Sequence, residues 1–211
     1  MGYNSPRDAE LLRILDQNFA RSAELAGPHL VCHPGCTQCC HGAFRINALD
    51  AARLRSGMKE LRASNPALAA TLEARAEQWL ADHAENFPGD KHTGILGSGQ
   101  ADLAAFDDFA NDTPCPALNP ATGLCDLYAW RPFTCRIFGP PVRVDAAEYG
   151  GAATDAPAFA HCELCFTTAS EDEISASELI VPHGLEAALN KEIGSESPQE
   201  TIVAFALVER E

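Results

Sequence analysis

Ten residues, Cys32-His33-Pro34-Gly35-Cys36-Thr37-Gln38-Cys39-Cys40-His41, constrain this chain more than any other stretch. Four cysteines fall within nine positions, spaced C-x3-C-x2-C-C. Thiols this dense point to a soft ion. Zn2+ and iron–sulfur clusters both take thiolate ligands, and short C-x2-C or C-x3-C loops bring two sulfurs to one centre. Cysteine also packs as a small hydrophobe, but four in one decapeptide favour metal over burial alone. Pro34 and Gly35 oppose a helix running through Cys32. Pro34 can instead open a short helix at its first position. That would set Cys36, Cys39 and Cys40 at i, i+3 and i+4 on one face, with Cys32 in the incoming loop. The adjacent Cys39 and Cys40 could serve one cluster or two neighbouring metals.

A chain of 211 residues, 46% of them hydrophobic, can bury a full core, so the cysteines are not needed to staple a miniature fold. Nine cysteines is an odd count in a chain too long for a secreted disulfide framework. Met1 to Asp8 lack the basic and apolar regions of a leader, and no apolar run approaches a membrane span. The expectation is a reducing cytoplasm and no membrane partner. The formal charge is −15, with no Lys/Arg cluster to form a basic face, which argues against a nucleic-acid partner.

Periodicity predicts a mainly α protein, a single compact helical domain over 1–211 with irregular cysteine loops and little β. A first helix is signalled by Ser5, Pro6 and Asp8, carries Leu11, Leu12, Ile14, Leu15 and Phe19, and ends at Gly27-Pro28. Gly42 to Ile46 reads as an extended link. Asn47 with Asp50 starts a second helix, and Asn65-Pro66 a third that stops at Pro88-Gly89. Residues 88–100 read as a flexible loop; its Gly94-Ile95-Leu96-Gly97-Ser98-Gly99 lacks the preceding strand that a nucleotide loop requires. A short acidic helix is expected over Ala101 to Phe109, an acidic turn at Glu171-Asp172-Glu173, and a helix from Pro182 to Ile193. A capping box at Ser197-Pro198-Gln199-Glu200 predicts a last helix from there.

The remaining cysteines form two groups. Cys115, Cys125 and Cys135 follow C-x9-C-x9-C, and the turn Asn119-Pro120-Ala121-Thr122-Gly123 can fold Cys125 back towards Cys115. Arg131-Pro132 opens a short helix carrying Cys135 and Arg136. His161-Cys162-Glu163-Leu164-Cys165 is a C-x2-C pair, read as a metal knuckle or, alternatively, a thiol redox pair. His29, His33, His41 and His161 lie beside cysteines and could replace a sulfur or hydrogen-bond to one. Arg131 and Arg136 could offset thiolate charge.

The C-x3-C-x2-C-C run, Cys115-Pro-Ala-Leu, and Cys125-Asp-Leu-Tyr128-x2-Arg131-Pro132-x2-Cys135-Arg136 together resemble the YkgJ-type cysteine-cluster family, described as chelating zinc or iron. The resemblance covers a core motif at 28–45 and 113–140, leaving 166–211 as a helical extension. It implies Cys32, Cys36, Cys39, Cys40, Cys115, Cys125 and Cys135 as ligands, with Tyr128, Arg131 and Arg136 on the cofactor side. Cys162 and Cys165 join the metal set from their own spacing. A related segment in flagellin lysine methylases is associated with an iron–sulfur cluster, so the implied cofactor is an iron–sulfur cluster or zinc. The function expected is metal binding, with a metal-dependent enzyme or a Cys162/Cys165 oxidoreductase as alternatives. No general base, substrate pocket or cofactor loop supports catalysis.

Overall fold

The computed structural model of the chain describes residues 5–145, 158–193 and 199–209. Its helices are α1 (Pro6–Ala26), α2 (Ala48–Ser64), α3 (Pro66–His83), α4 (Gln100–Asp107), α5 (Phe133–Ile137), α6 (Glu171–Ala176), α7 (His183–Glu192) and α8 (Val203–Leu207). The strands are two or three residues long: β1 (Arg45–Ile46), β2 (Gly89–Asp90), β3 (Ile95–Leu96), β4 (Val142–Val144), β5 (Ala158–Ala160) and β6 (Thr201–Ile202). They pair only as antiparallel couples, β1 with β6, β2 with β3 and β4 with β5. The protein is mainly α, as its periodicity predicts. Among the described residues no helix is long and apolar enough to cross a membrane.

The described chain separates into two compact units. Unit 1 holds Pro34–Thr134 and Ala187–Glu211, and unit 2 holds Pro6–His33 and Cys135–Glu186. In unit 1, α2 and α3 form a hairpin around a single residue. The Asn65 N–H donates to Leu61 O at the end of α2, while its side chain accepts Leu68 N–H to cap α3. Such a cap contributes about 1 kcal/mol. Leu54, Met58, Leu61, Leu72 and Ala76 from this hairpin enclose Val203, Ala206 and Leu207 of α8. Gly57 lets the Trp130 side chain pack closely on α2, because a Cβ there would come within 2.6 Å of it. In unit 2, α1 buries Leu11 and Leu15, and Ser22 Oγ donates to Ser177 O just beyond α6.

Four local expectations change. Residues 34–40 form no α-helix; a turn at Pro34-Gly35 leads to a single 3-10 turn at Gln38–Cys40. Gly35 at φ +91 takes the left-handed region, which stops helical propagation at once. The loop at 88–100 contains the β2–β3 hairpin, turned at Gly94 with φ +73. The Glu171–Glu173 turn is the first turn of α6, capped reciprocally by Ser170 and Glu173. The last helix begins only at Val203. Ser197 and Pro198 lie outside the described residues; Glu200 O accepts Leu96 N–H, and Thr201 and Ile202 pair with β1. Pairing with partners distant in sequence overrides a local capping signal there.

Candidate metal centre

In unit 1 the Asn119–Gly123 turn does what its composition predicts. Asn119 N donates to Leu124 O at 2.8 Å, and Gly123 N to Asn119 O at 2.9 Å. Leu118 and Cys125 form an antiparallel bridge, which folds Cys125 back beside the Cys115 segment. The decapeptide is zipped onto the same segment. Cys115 N donates to Cys40 O at 2.7 Å, Gly42 N to Thr113 O at 2.9 Å, and His41 bridges Pro114. Gly123 at φ +68 backs against Gly35, so even a methyl at position 123 would sit 3.2 Å from Gly35 O. Loops 35–40, 113–118 and 123–126 thus form one assembly carrying Cys36, Cys39, Cys40, Cys115 and Cys125.

The thiols of this assembly interact. The Cys40 side chain hydrogen-bonds Cys39 and holds its thiol well below the ordinary value, with a backbone hydrogen bond and the Arg131 charge in support. The same hydrogen bond pushes Cys40 up, aided by burial and by Cys39, Cys115 and Cys125 nearby. Burial pushes Cys115 up to about 12 and also raises Cys125. Arg131 lies over the Tyr128 ring, 4.0 Å from its centroid, and opposes the rise at Cys125.

Arg75 is the residue that sequence reading missed. From α3 it donates to Leu118 O and to Asp126 Oδ2, both at 2.6 Å, bracing the hairpin between Cys115 and Cys125. Its charge also favours both thiolates. The signal lay in the helical spacing, since position 75 is three residues after Leu72 and four before Trp79, on the apolar stripe. Asp50 stands at a helix start in the sequence. It is a buried brace: its Oδ1 accepts Arg53 Nη1 at 2.6 Å and the Phe133 N–H at 2.8 Å, fixing the start of α5.

Unit 2 holds the other four cysteines. Cys32 Sγ and Cys165 Sγ are 3.9 Å apart. Cys162 N donates to Gly139 O, Cys165 N to Cys162 O, and Phe166 N to His29 O. Cys162 and Cys165 are 5% and 1% exposed and pack with Ala26 and Phe166. A dithiol that exchanges with other proteins needs an accessible sulfur, so this burial counts against the redox-pair alternative. Cys135 sits on α5 in the same unit. Arg136 is buried and donates to Asp16 Oδ1 at 3.2 Å. His29 lies 3.6 Å from Glu173, and His161 Nδ1 lies 3.1 Å from Cys162 O.

Nine thiols, with two guanidinium groups beside one set, make a donor set suited to a soft, thiolate-binding ion or cluster and unsuited to a hard cation. Among the described residues no three His, Cys, Asp or Glu side chains already stand in ligand geometry.

Thiol-rich loops on a helical frame define a chelating class of protein. The chain belongs to the CxxCxxCC family, described as a "putative zinc- or iron-chelating domain", whose model matches residues 31–153, more than half of the sequence. Cys162 and Cys165 lie beyond the matched residues. Neither a curated protein nor a solved structure matches the chain.

Proposed function

We propose that the chain is a metal-binding protein whose unit 1 centre is held by Cys39, Cys40, Cys115 and Cys125, with Cys36 on the same loop. The observation that carries this reading is the mutual influence of those four thiols across three loops, two of them joined by the Cys115–Cys40 backbone bond. Arg75 and Arg131 supply positive charge where four thiolates would accumulate negative charge. An iron–sulfur cluster is the preferred occupant, because such clusters are held mainly by cysteine thiolates, whereas zinc readily takes histidine for some of its ligands. When bound, the group serves structure, electron transfer or metal handling; the residues hold it, neutralise it and shield it from water. The remaining cysteines, Cys32, Cys135, Cys162 and Cys165, are nominated as ligands too, and Arg136 as a supporting cation.

Isolation without oxygen, followed by visible absorption and assays for iron, sulfide and zinc, tests this reading. Visible absorption with matching iron and sulfide is expected. A colourless protein with stoichiometric zinc replaces the cluster with zinc and keeps the ligands, because zinc is d10 and spectroscopically silent. Protein that binds none of these overturns the reading.

A further inference from the structure

Cys32 opens the C-x3-C-x2-C-C run, yet its sulfur lies beside residues more than a hundred positions away. Cys165 Sγ is at 3.9 Å. Two thiolates on one tetrahedral ion with Zn–S bonds of about 2.3 Å stand roughly 3.8 Å apart, so this spacing already fits one edge of such a site. The chain around them is shaped for the approach. Gly139 takes φ +115, and a Cβ there would come within 2.9 Å of Cys32 Sγ. The Gly139 carbonyl accepts Cys162 N–H, and Cys165 N–H closes a turn onto Cys162 O within the C-x2-C pair. Cys135 is the fourth thiol of unit 2, four residues before Gly139.

We propose that Cys32, Cys162 and Cys165, completed by Cys135, form a second metal centre within unit 2, one that takes a single tetrahedral soft ion such as Zn2+. It is separate from the Cys39/Cys40/Cys115/Cys125 centre and does not depend on that reading. Two of its ligands lie outside the residues that the family model matches. Each thiol that coordinates releases its proton to solvent, and the ion's charge offsets the thiolates in a cluster otherwise lined by Ala26 and Phe166.

The test loads reduced apoprotein with Zn2+ or Co2+ without oxygen and maps cysteine alkylation by mass spectrometry. Cys32 is exposed, so in the reduced apoprotein it is open to alkylation. Its alkylation should slow by about tenfold or more on loading and recover with chelator, as expected for a sulfur held at a closed thiolate site. Cys32 that stays reactive in fully loaded wild-type protein overturns the proposal, whatever the variants do. In Cys115→Ser/Cys125→Ser protein, about one equivalent of metal and the protection of Cys32 should survive, as one tetrahedral site requires. In Cys162→Ser/Cys165→Ser protein, both should be lost. Unchanged metal content in that second variant, or continued protection of Cys32, overturns the proposal. Metal retained by the first variant at the wild-type level, but lost from the second, removes the unit 1 reading and leaves this one standing. Wild-type protein that binds no metal ends both. Should either variant lose its helical circular dichroism, the wild-type alkylation map alone decides.

Discussion

The two thiol groups are held in place by opposite means. In unit 1 the cysteines ride on loops zipped by backbone hydrogen bonds and braced by Arg75 on Asp126, within a unit that also buries Asp50 against Arg53 and the Phe133 N–H. Their protonation is spread widely, with Cys39 low and Cys40, Cys115 and Cys125 high. In unit 2 Cys162 and Cys165 pack with Ala26 and Phe166, and Cys32 lies against Gly139, whose missing side chain makes the room. Polar bracing fixes direction and tunes charge, whereas apolar packing fixes proximity and excludes water. The unit 1 assembly should therefore fail through lost polar partners, and the unit 2 assembly through lost space.

The largest effect should come from Asp50→Ala. It removes a carboxylate partner of Arg53, which is 3% exposed, and the acceptor of the Phe133 N–H. Removing one partner of a buried pair costs about 3–5 kcal/mol. Urea denaturation should show it, and a loss under 1 kcal/mol would mean the brace is incidental. The parallel change in unit 2 is Gly139→Ala, which combines a left-handed backbone with a clash against Cys32 Sγ. About 1–3 kcal/mol is expected. Alkylation of Cys32 should rise in this variant while that of Cys39 stays constant; equal changes at both would erase the contrast.

Smaller, at about 1 kcal/mol, is Asn65→Ala, which removes the side-chain cap of α3 while leaving both thiol groups untouched. A lower melting temperature with unchanged metal content is expected. Altered metal content would show that the α2–α3 hairpin sets ligand positions more tightly than its distance in sequence suggests.

The sequence carried much of this architecture, for reasons that differ by residue. Asn47, Asn65 and Pro66 act locally, so their helix starts were readable within a residue or so. Asn119 to Gly123 was readable as a turn for the same reason. The 3-10 turn at Gln38–Cys40 was not, because Gly35 is compatible with either a helix start or a left-handed turn until Gly123 packs against it. The late start of α8 depends on strand pairing with Arg45 and Ile46, more than 150 residues earlier, which no local pattern encodes. At the candidate site, spacing identified the thiols as a set. It could not show that the first motif divides, with Cys32 beside Cys165, since that rests on Gly139 and on contacts more than a hundred residues apart in sequence.

The finest distinction concerns protonation within unit 1 of the apoprotein. A thiol with a lowered pKa is a thiolate, and hence a nucleophile, at lower pH. Cys39 should therefore react with iodoacetamide near neutral pH, while Cys115, raised from 9.0 to about 12, stays silent until strong alkali. The same shift carries a sign for stability. A buried thiol whose folded pKa is raised contributes stability that is whole below 9.0 and fades as pH rises towards 12, so the apoprotein should weaken in alkali over that window. Metal loading should abolish the alkaline weakening, because a coordinated thiolate needs no proton. The cause at Cys39 can be divided. The Cys40 hydrogen bond is the main contributor and Arg131 a lesser one, so Cys40→Ala should move the Cys39 profile to higher pH by more than Arg131→Gln does. If Arg131→Gln has the larger effect, the guanidinium over Tyr128 is the principal support of the thiolate, and unit 1 is braced by charge more than by the thiol pair.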